Sequence, residues 1–189
     1  VYYCLLLITL YEINNDKVSL DKCKNLMEET WKLFFNKDYN LLQKNISNSN
    51  DLFVNPIDIA DNNIPNGNSM FLLICNKLKN ITNDKSWFEK IDILSKEFNT
   101  YINFNFSQMF SYLKIIDICE ENITISFHGK LNEIEKIKKN ILKDFMGNIS
   151  IIYKESEEDF FAIVCKNQTC SEKLKTLYDI NHYIQNNLK

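Results

Sequence analysis

The first 35 residues contain two stretches in which apolar side chains recur every three or four positions, the spacing of one helical face. Residues 2–13 predict one helix. A second helix is predicted to run to about Phe35, with Ser19 or Asp21 as its N-cap. Only the turn residues 14–16 separate the two patterns, so we expect the helices to pack as antiparallel neighbours.

The same period returns after a long polar connection. It predicts helices over residues 70–78, 84–98 and 107–119, the first capped by Asn68 or Ser69 and the second beginning at Asp84. Short and long connections therefore alternate along the first 121 residues. This order is typical of stacked helical hairpins, although no sequence repeat fixes the period.

After Glu121 the hydrophobic period changes from 3.6 to 2. Strands are predicted over residues 123–127, 149–153 and 160–165, with helices over 131–145, ending near Gly147, and over 172–187. The strand–helix–strand part fits a βαβ crossover. We therefore predict a mainly α chain in two parts: helical hairpins over residues 1–121 and a small β-α-β-β-α appendage over residues 122–189.

Composition and charge exclude several classes of function. The 22 basic residues are all Lys, and with 25 acidic residues they give a formal charge of −3, so nothing favours nucleic acid. Three scattered glycines exclude a phosphate-binding or dinucleotide loop. The histidines and carboxylates show no ligand spacing, so we predict neither a metal site nor a cofactor.

The apolar start of the chain, VYYCLLLITL, is interrupted by Glu12 and the polar residues after it. A membrane span needs about 20 apolar residues, and a signal peptide needs a basic region and a cleavage site. We interpret the segment as a buried helix whose start lies upstream, and the chain as a fragment. With no targeting or membrane segment, the cytoplasm is the expected location.

The connection over residues 36–68 holds both prolines and many asparagines. It ends in the sequence DNNIPNGNS, residues 61–69, directly before a helix start. Backbone N–H groups and polar side chains converge at such a start, which can form a polar pocket. The same residues can instead cap the helix and hold the loop. Asp61, Asn68 and Ser69 are the candidate ligand-binding residues.

Six cysteines are present, and Cys165 and Cys170 differ from the others in standing close together. Their four intervening residues match neither the usual redox spacing nor a zinc site. One interpretation is a strand end and turn with two free thiols. The other is a labile disulfide or sensor pair, which makes both residues redox candidates.

Three segments together resemble the spermatogenesis-associated protein 20 family of thioredoxin-domain-containing proteins, which includes the YyaL type. Residues 61–69 (DNNIPNGNS) are similar to that family's signature Asp-Gly-Ala-x-Pro-Ser-Gly-Asn-Ser. Leu10-Tyr11-Glu12 and the helix after it resemble the family's helix pair. Residues 161–170 (FAIVCKNQTC) resemble its C-terminal strand with a Cys-x-x-x-x-Cys segment.

The resemblance implies an N-terminal thioredoxin-like domain followed by an (α/α) toroid of the six-hairpin glycosidase type. This chain corresponds only to the C-terminal part of such a toroid and its α/β appendage, and we expect it to be inactive alone. In the whole protein, Asp61, Asn68 and Ser69 would line the toroid mouth and bind a polar, carbohydrate-like molecule.

Two other hypotheses compete with this one. In the first, Cys165 and Cys170 exchange with the thioredoxin-like domain, so that the appendage is a redox-linked module. In the second, the chain is a purely structural interaction module. All three make the N-terminal remainder of the same protein the expected partner.

Overall fold

The computed structural model describes residues 1–46, 55–144, 149–166 and 169–187. Helices account for 62% of the described residues, and the remaining regular structure is a small mixed sheet and one short strand pair. The chain is therefore mainly helical. It divides into two compact units, Val1–Asp117 and Ile118–Lys189, where the sequence analysis placed a boundary at 121/122.

The first unit is built from helices in hairpin order. They are α1 (Tyr2–Asn14), α2 (Lys17–Phe34), α3 (Gly67–Thr82), α4 (Lys85–Asn105) and α5 (Phe110–Glu121), the last of which crosses the unit boundary. Helix α1 packs on α2, α3 packs on α4, and α1 also packs on α3. The predicted helical hairpins α1–α2 and α3–α4 are thus present, and their buried apolar faces form the core.

Both hairpins turn through the same two residue types. Asn15 and Asn83 end α1 and α3 in the left-handed conformation, with φ of 54° and 55°. Asp16 and Asp84 follow and cap α2 and α4 by accepting hydrogen bonds from backbone N–H groups of the next turn. Asparagine tolerates positive φ, and aspartate is a favoured N-cap. The prediction of Asp84 is confirmed.

Several predicted helix ends are wrong by a few residues. Asp16, and not Ser19 or Asp21, caps α2, because Asp16 has the extended backbone that an N-cap needs. Asn66, and not Asn68 or Ser69, caps α3 for the same reason. A short 3-10 helix, Phe106–Gln108, precedes α5, which therefore begins at Phe110 and not at residue 107.

The long connection contains a short strand pair that has no sequence period. Strands β1 (Phe35–Asn36) and β2 (Leu41–Leu42) pair antiparallel directly after α2. Two-residue strands are too short to show alternation, so the sequence analysis missed them. Residues 47–54 of this connection lie outside the described residues.

The second unit has a four-stranded sheet with its helices in the predicted order. The elements are β3 (Ile123–Gly129), α6 (Leu131–Asp144), β4 (Ile149–Glu155), β5 (Phe161–Lys166), β6 (Thr169–Cys170) and α7 (Leu177–Asn187). The strand order is β4-β3-β5-β6, with β3 and β4 parallel and the other neighbours antiparallel. The predicted end of α6 near Gly147 lies outside the described residues.

Two details of this unit differ from the prediction. The chain forms an additional short strand, β6, beside β5. Helix α7 begins at Leu177 and not at residue 172, because Leu174 still bonds to Ala162 of β5 through both backbone groups, at 2.8 and 2.9 Å. The backbone of residues 171–174 is thus held along the sheet and unavailable for a helix.

Candidate functional site

The candidate site begins with the loop that leads into α3. Asn66 caps the helix, its side-chain oxygen accepting a hydrogen bond from the Ser69 backbone N–H at 2.8 Å. Its side-chain amide donates to the Ile59 carbonyl at 3.1 Å and to Asp61 Oδ1 at 3.0 Å. One buried amide therefore joins the helix start to the loop before it.

Asp61 uses both carboxylate oxygens to hold this loop. Oδ1 also accepts from the Asn66 backbone N–H at 2.9 Å, and Oδ2 accepts from the Ser111 backbone N–H at 2.7 Å. The Asp61 backbone N–H donates to the Gln108 carbonyl at 2.7 Å. Asp61 thereby ties the loop to the 3-10 helix and the first turn of α5.

Asn68 acts as a substitute for a strand neighbour of β2. Its Oδ1 accepts from the Leu42 N–H at 2.7 Å, and its Nδ2 donates to the Leu42 carbonyl at 2.8 Å and to the Asp58 carbonyl at 3.2 Å. The residue is only 3% exposed. Because buried backbone groups need partners, this one amide stabilises both β2 and the loop.

Ser69 is fully buried in the first turn of α3. Its hydroxyl has no hydrogen-bond partner among the residues that the structure describes. Its backbone N–H is the group that Asn66 caps. Of the three candidate residues, Asp61 and Asn68 thus stabilise the loop through several hydrogen bonds each, and Ser69 contributes a buried hydroxyl.

A cavity of about 250 Å³ opens beside this helix start. Its polar lining comes from Thr30, Gln43, Lys44, Asp58 and Asn68, and its apolar lining from Val1, Phe34 and Leu42, with Gly67 at the helix start. A Cβ atom added to Gly67 would meet nothing within 4 Å, so the space reaches the backbone there. Asn68 is the predicted residue that lines the cavity.

The charged side chains that line the cavity carry almost no net charge, because they form an ion pair. Lys44 and Asp58 form an ion pair, with side chains 53% and 32% exposed. The Lys44 backbone N–H also donates to the Pro56 carbonyl at 2.9 Å, which fixes the segment that carries the ammonium. Gln43 is 4% exposed, and its side-chain oxygen accepts a hydrogen bond from the Asn36 side-chain amide at 3.1 Å.

Sequence reasoning missed Gln43, Lys44 and Asp58 as candidates. Lys44 and Asp58 stand fourteen positions apart, in a connection without a period, and no motif links them. Their pairing depends on β2, which Asn68 holds in place. The only available signal was the density of polar residues before a helix start.

In the second unit, Cys165 and Cys170 form a disulfide. They are directly opposed in the β5–β6 pair, and the Cys170 side is exposed. The structure therefore has a bonded pair where one interpretation expected two free thiols. The register of the hairpin brings the sulfur atoms together.

His128 lies at the end of β3 and stacks on Phe161, with ring centroids 4.3 Å apart. Burial lowers the pKa of this imidazole, and the nearby Lys154 and Lys173 lower it further. Within the described ranges, no three His, Cys, Asp or Glu side chains are grouped so that they could hold a metal ion. No helix in the same ranges is both long and apolar enough to cross a bilayer.

Compared with models of protein families and with curated proteins, the sequence matches none. The family resemblance therefore stays a prediction.

Proposed function

We propose that this chain is the C-terminal part of a thioredoxin-domain-containing protein of the spermatogenesis-associated protein 20 family. In this proposal its hairpins belong to a six-hairpin glycosidase-like (α/α) toroid. Two observations support this. Both hairpins turn through the same Asn-Asp link, and α1 packs on α3 as well as on α2, as neighbouring hairpins in a ring do.

The outer face of α1 supports a further helical layer. Tyr2, Tyr3, Leu6 and Ile13 are between 43% and 53% exposed although the helix is apolar along most of its length. A helix that is apolar all round is normally buried. The N-terminal remainder of the same protein would cover this face, and the chain alone would be inactive.

The helical unit binds a small polar, carbohydrate-like molecule in the cavity beside α3. The cavity is the observation that carries this proposal. Its volume of about 250 Å³ equals that of roughly eight water molecules in the liquid. Lys44, Asp58 and Gln43 supply donors and acceptors, while Phe34 and Leu42 supply apolar surface for C–H groups. Such mixed linings are typical of small-molecule sites.

In this assignment the ligand contacts come from Gln43, Lys44 and Asp58, and Asn68 lines the same wall. Asp61 and Ser69 do not line the cavity: Asp61 holds the loop, and the Ser69 backbone N–H donates to the N-cap residue Asn66. The near-neutral lining favours an uncharged polyol over an anion, because Asp58 already neutralises Lys44.

The test is a thermal-shift and calorimetric screen of neutral monosaccharides on the full chain. Gly67→Leu should abolish any ligand-induced shift while the unliganded melting temperature changes little, because the new side chain enters open space. Asn63→Leu, at an exposed position of the same loop, is the matched control and should bind normally.

Two further variants separate contact from support. Asp58→Asn should weaken binding with little loss of stability, whereas Asp61→Ala should lower stability first. Asp38→Asn, at an exposed position, controls for the charge change. A monosaccharide that shifts wild type and Gly67→Leu equally would contradict the proposal. Absence of binding by every sugar would favour the interaction-module hypothesis.

The second candidate function is redox exchange through Cys165 and Cys170. The disulfide between these opposed residues, with Cys170 exposed, is the observation that favours it. A thiolate of a thioredoxin-like domain would attack one sulfur, form a mixed disulfide and release the other cysteine as a thiolate.

Titration of the full chain against glutathione redox buffers tests this function, with thiols counted by maleimide mass labelling. A potential near that of cellular thioredoxins, with rapid reduction by thioredoxin, would support exchange. A pair that stays oxidised in cytosolic glutathione buffer would contradict it. Cys119→Ser is the control, because that thiol is outside the disulfide.

A further inference from the structure

Three cysteine thiols lie buried in the helical unit. Cys4 of α1 is 3% exposed, and Cys23 of α2 and Cys75 of α3 are fully buried. Cys23 Sγ lies 3.4 Å from the Cys4 carbonyl oxygen, and the Cys4 and Cys23 thiols also hydrogen-bond to each other. Cys4 and Cys23 thus form a close dithiol across the α1–α2 hairpin, and Cys75 lies near Cys23.

The two thiols have unequal acidity. The hydrogen bond from Cys23 lowers the pKa of Cys4 to about 7, and this outweighs the opposing effect of burial. The same hydrogen bond, together with burial, raises the pKa of Cys23. Since a thiolate is the reactive form, Cys4 is the nucleophile of the pair and Cys23 is its protonated neighbour.

We propose that Cys4 and Cys23 form a peroxide-reactive dithiol that closes to a disulfide between α1 and α2. The oxidant is a small hydroperoxide, for which hydrogen peroxide is the probe. This site is separate from the cavity, from the Cys165–Cys170 disulfide and from the function proposed for either.

The reaction is a two-electron oxidation in two steps. The Cys4 thiolate attacks one peroxide oxygen, the O–O bond breaks, and Cys4 sulfenic acid and hydroxide are formed. The Cys23 sulfur then attacks the Cys4 sulfur, the S–O bond breaks, and the disulfide forms with release of water. Both thiols are oxidised, and the peroxide is reduced to two molecules of water, because the hydroxide of the first step takes up the proton that Cys4 released on ionising.

Burial restricts the oxidant and does not block it. Hydrogen peroxide is small and uncharged, so it needs only a brief local opening of the hairpin to reach the sulfur. Larger disulfide oxidants need a wider opening and should react more slowly. This explains how a dithiol inside a helical core can be selective for peroxide.

The test treats the reduced chain with hydrogen peroxide at pH 7, in a Cys165→Ser/Cys170→Ser background that removes the surface pair. Tryptic cleavage after Lys17, Lys22 and Lys24 should yield residues 1–17 joined to residues 23–24, two hydrogens lighter than the separate peptides. At pH 7 a thiol of pKa about 7 is half ionised, so Cys4 should be oxidised before the other buried thiols.

Single variants separate a reactive pair from mere core packing. In Cys23→Ser, Cys4 should stop at sulfenic acid, captured by dimedone. The midpoint of its rate against pH should move up from near 7, a change that a structural role would not produce. Cys75→Ser is the matched control and should form the disulfide normally. The proposal is overturned if the joined peptide does not form, or if Cys75 oxidises as fast as Cys4.

Discussion

The loop before α3 and the β5–β6 hairpin both carry candidate residues, but they are held in different ways. In the loop, side chains satisfy the backbone: Asn68 bonds to Leu42, and Asp61 bonds to Asn66 and Ser111. In the hairpin, backbone pairing and the Cys165–Cys170 disulfide hold the chain; the side chains of β6 are exposed, whereas Phe161, Ala162 and Val164 of β5 are buried.

This difference has a clear energetic consequence. A loop that depends on a few buried polar side chains loses much of its support when one of them is changed. A hairpin held by its backbone and a covalent bond depends less on polar side chains and responds to reductant. The loop borders the cavity, so specificity for a ligand and stability of the helical unit are expected to change together there.

The largest effect is expected for Asn68→Ala. The substitution removes three hydrogen bonds and leaves both backbone groups of Leu42 without their partner. We expect a loss of about 3 kcal/mol in the free energy of unfolding, measured by urea denaturation. Asn63→Ala, in the same loop but exposed, should change it by less than about 0.5 kcal/mol. Equal effects of the two variants would contradict the claim that the loop depends on the buried Asn68 side chain.

The second prediction contrasts one glycine in each unit. Gly129 has φ of +123°, and an added Cβ would lie 3.0 Å from the Phe160 backbone, so Gly129→Ala should cost about 2 kcal/mol. Gly67→Ala should be neutral or stabilise by up to about 0.5 kcal/mol, because Ala favours the helix and space is available. Chemical denaturation of both variants measures the difference. A larger cost at Gly67 would contradict the open space beside α3.

Reduction of the Cys165–Cys170 disulfide should have a smaller effect. The bond closes a short loop, a sequence separation of 5, so the chain-entropy model gives at most about 2 kcal/mol. Hydrogen exchange with and without reductant should show lost protection in β5 and β6, and none in α3. Loss of protection at Leu42 or Asn68 upon reduction would show that the two regions are not independent.

The smallest effect on stability is expected from a change in pH, and the pH range over which stability is lost differs between the two units. Burial lowers the pKa of His128 in the folded state. Its contribution to the free energy of unfolding is therefore complete above about pH 6.5 and is lost as pH falls toward the folded-state pKa. Hydrogen bonds from Ser19 lower the pKa of Asp16 in the folded state. The contribution of Asp16 to the free energy of unfolding therefore persists until pH falls below about 3.8.

On acidification, hydrogen exchange should therefore increase in β3 before it increases in α2. His128→Gln should remove the first change, and Asp16→Asn should remove only the second. Simultaneous loss of protection in both elements at one pH would argue that neither group controls its own unit.

The helices and long strands were predictable because their apolar residues repeat with a clear period. The first residue of α3 was harder to predict. Asn66, Asn68 and Ser69 are all favourable N-cap residues, and only the backbone conformation selects Asn66. The polar wall of the cavity was not predictable, because Lys44 and Asp58 meet only after Asn68 has fixed β2. The spacing of Cys165 and Cys170 left two interpretations open; the hairpin register opposes the two residues and the structure has them bonded, while redox exchange by the pair stays a proposal.

The central claim, that the cavity beside α3 binds a neutral polar molecule, is tested most directly by amide chemical shifts. Neutral monosaccharides are titrated into the ¹⁵N-labelled chain. We predict saturable shifts at Leu42, Gln43, Lys44, Gly67 and Asn68 in wild type, lost in Gly67→Leu, with none in β5 or β6. No shift with any sugar, or shifts that persist in Gly67→Leu, would contradict the claim.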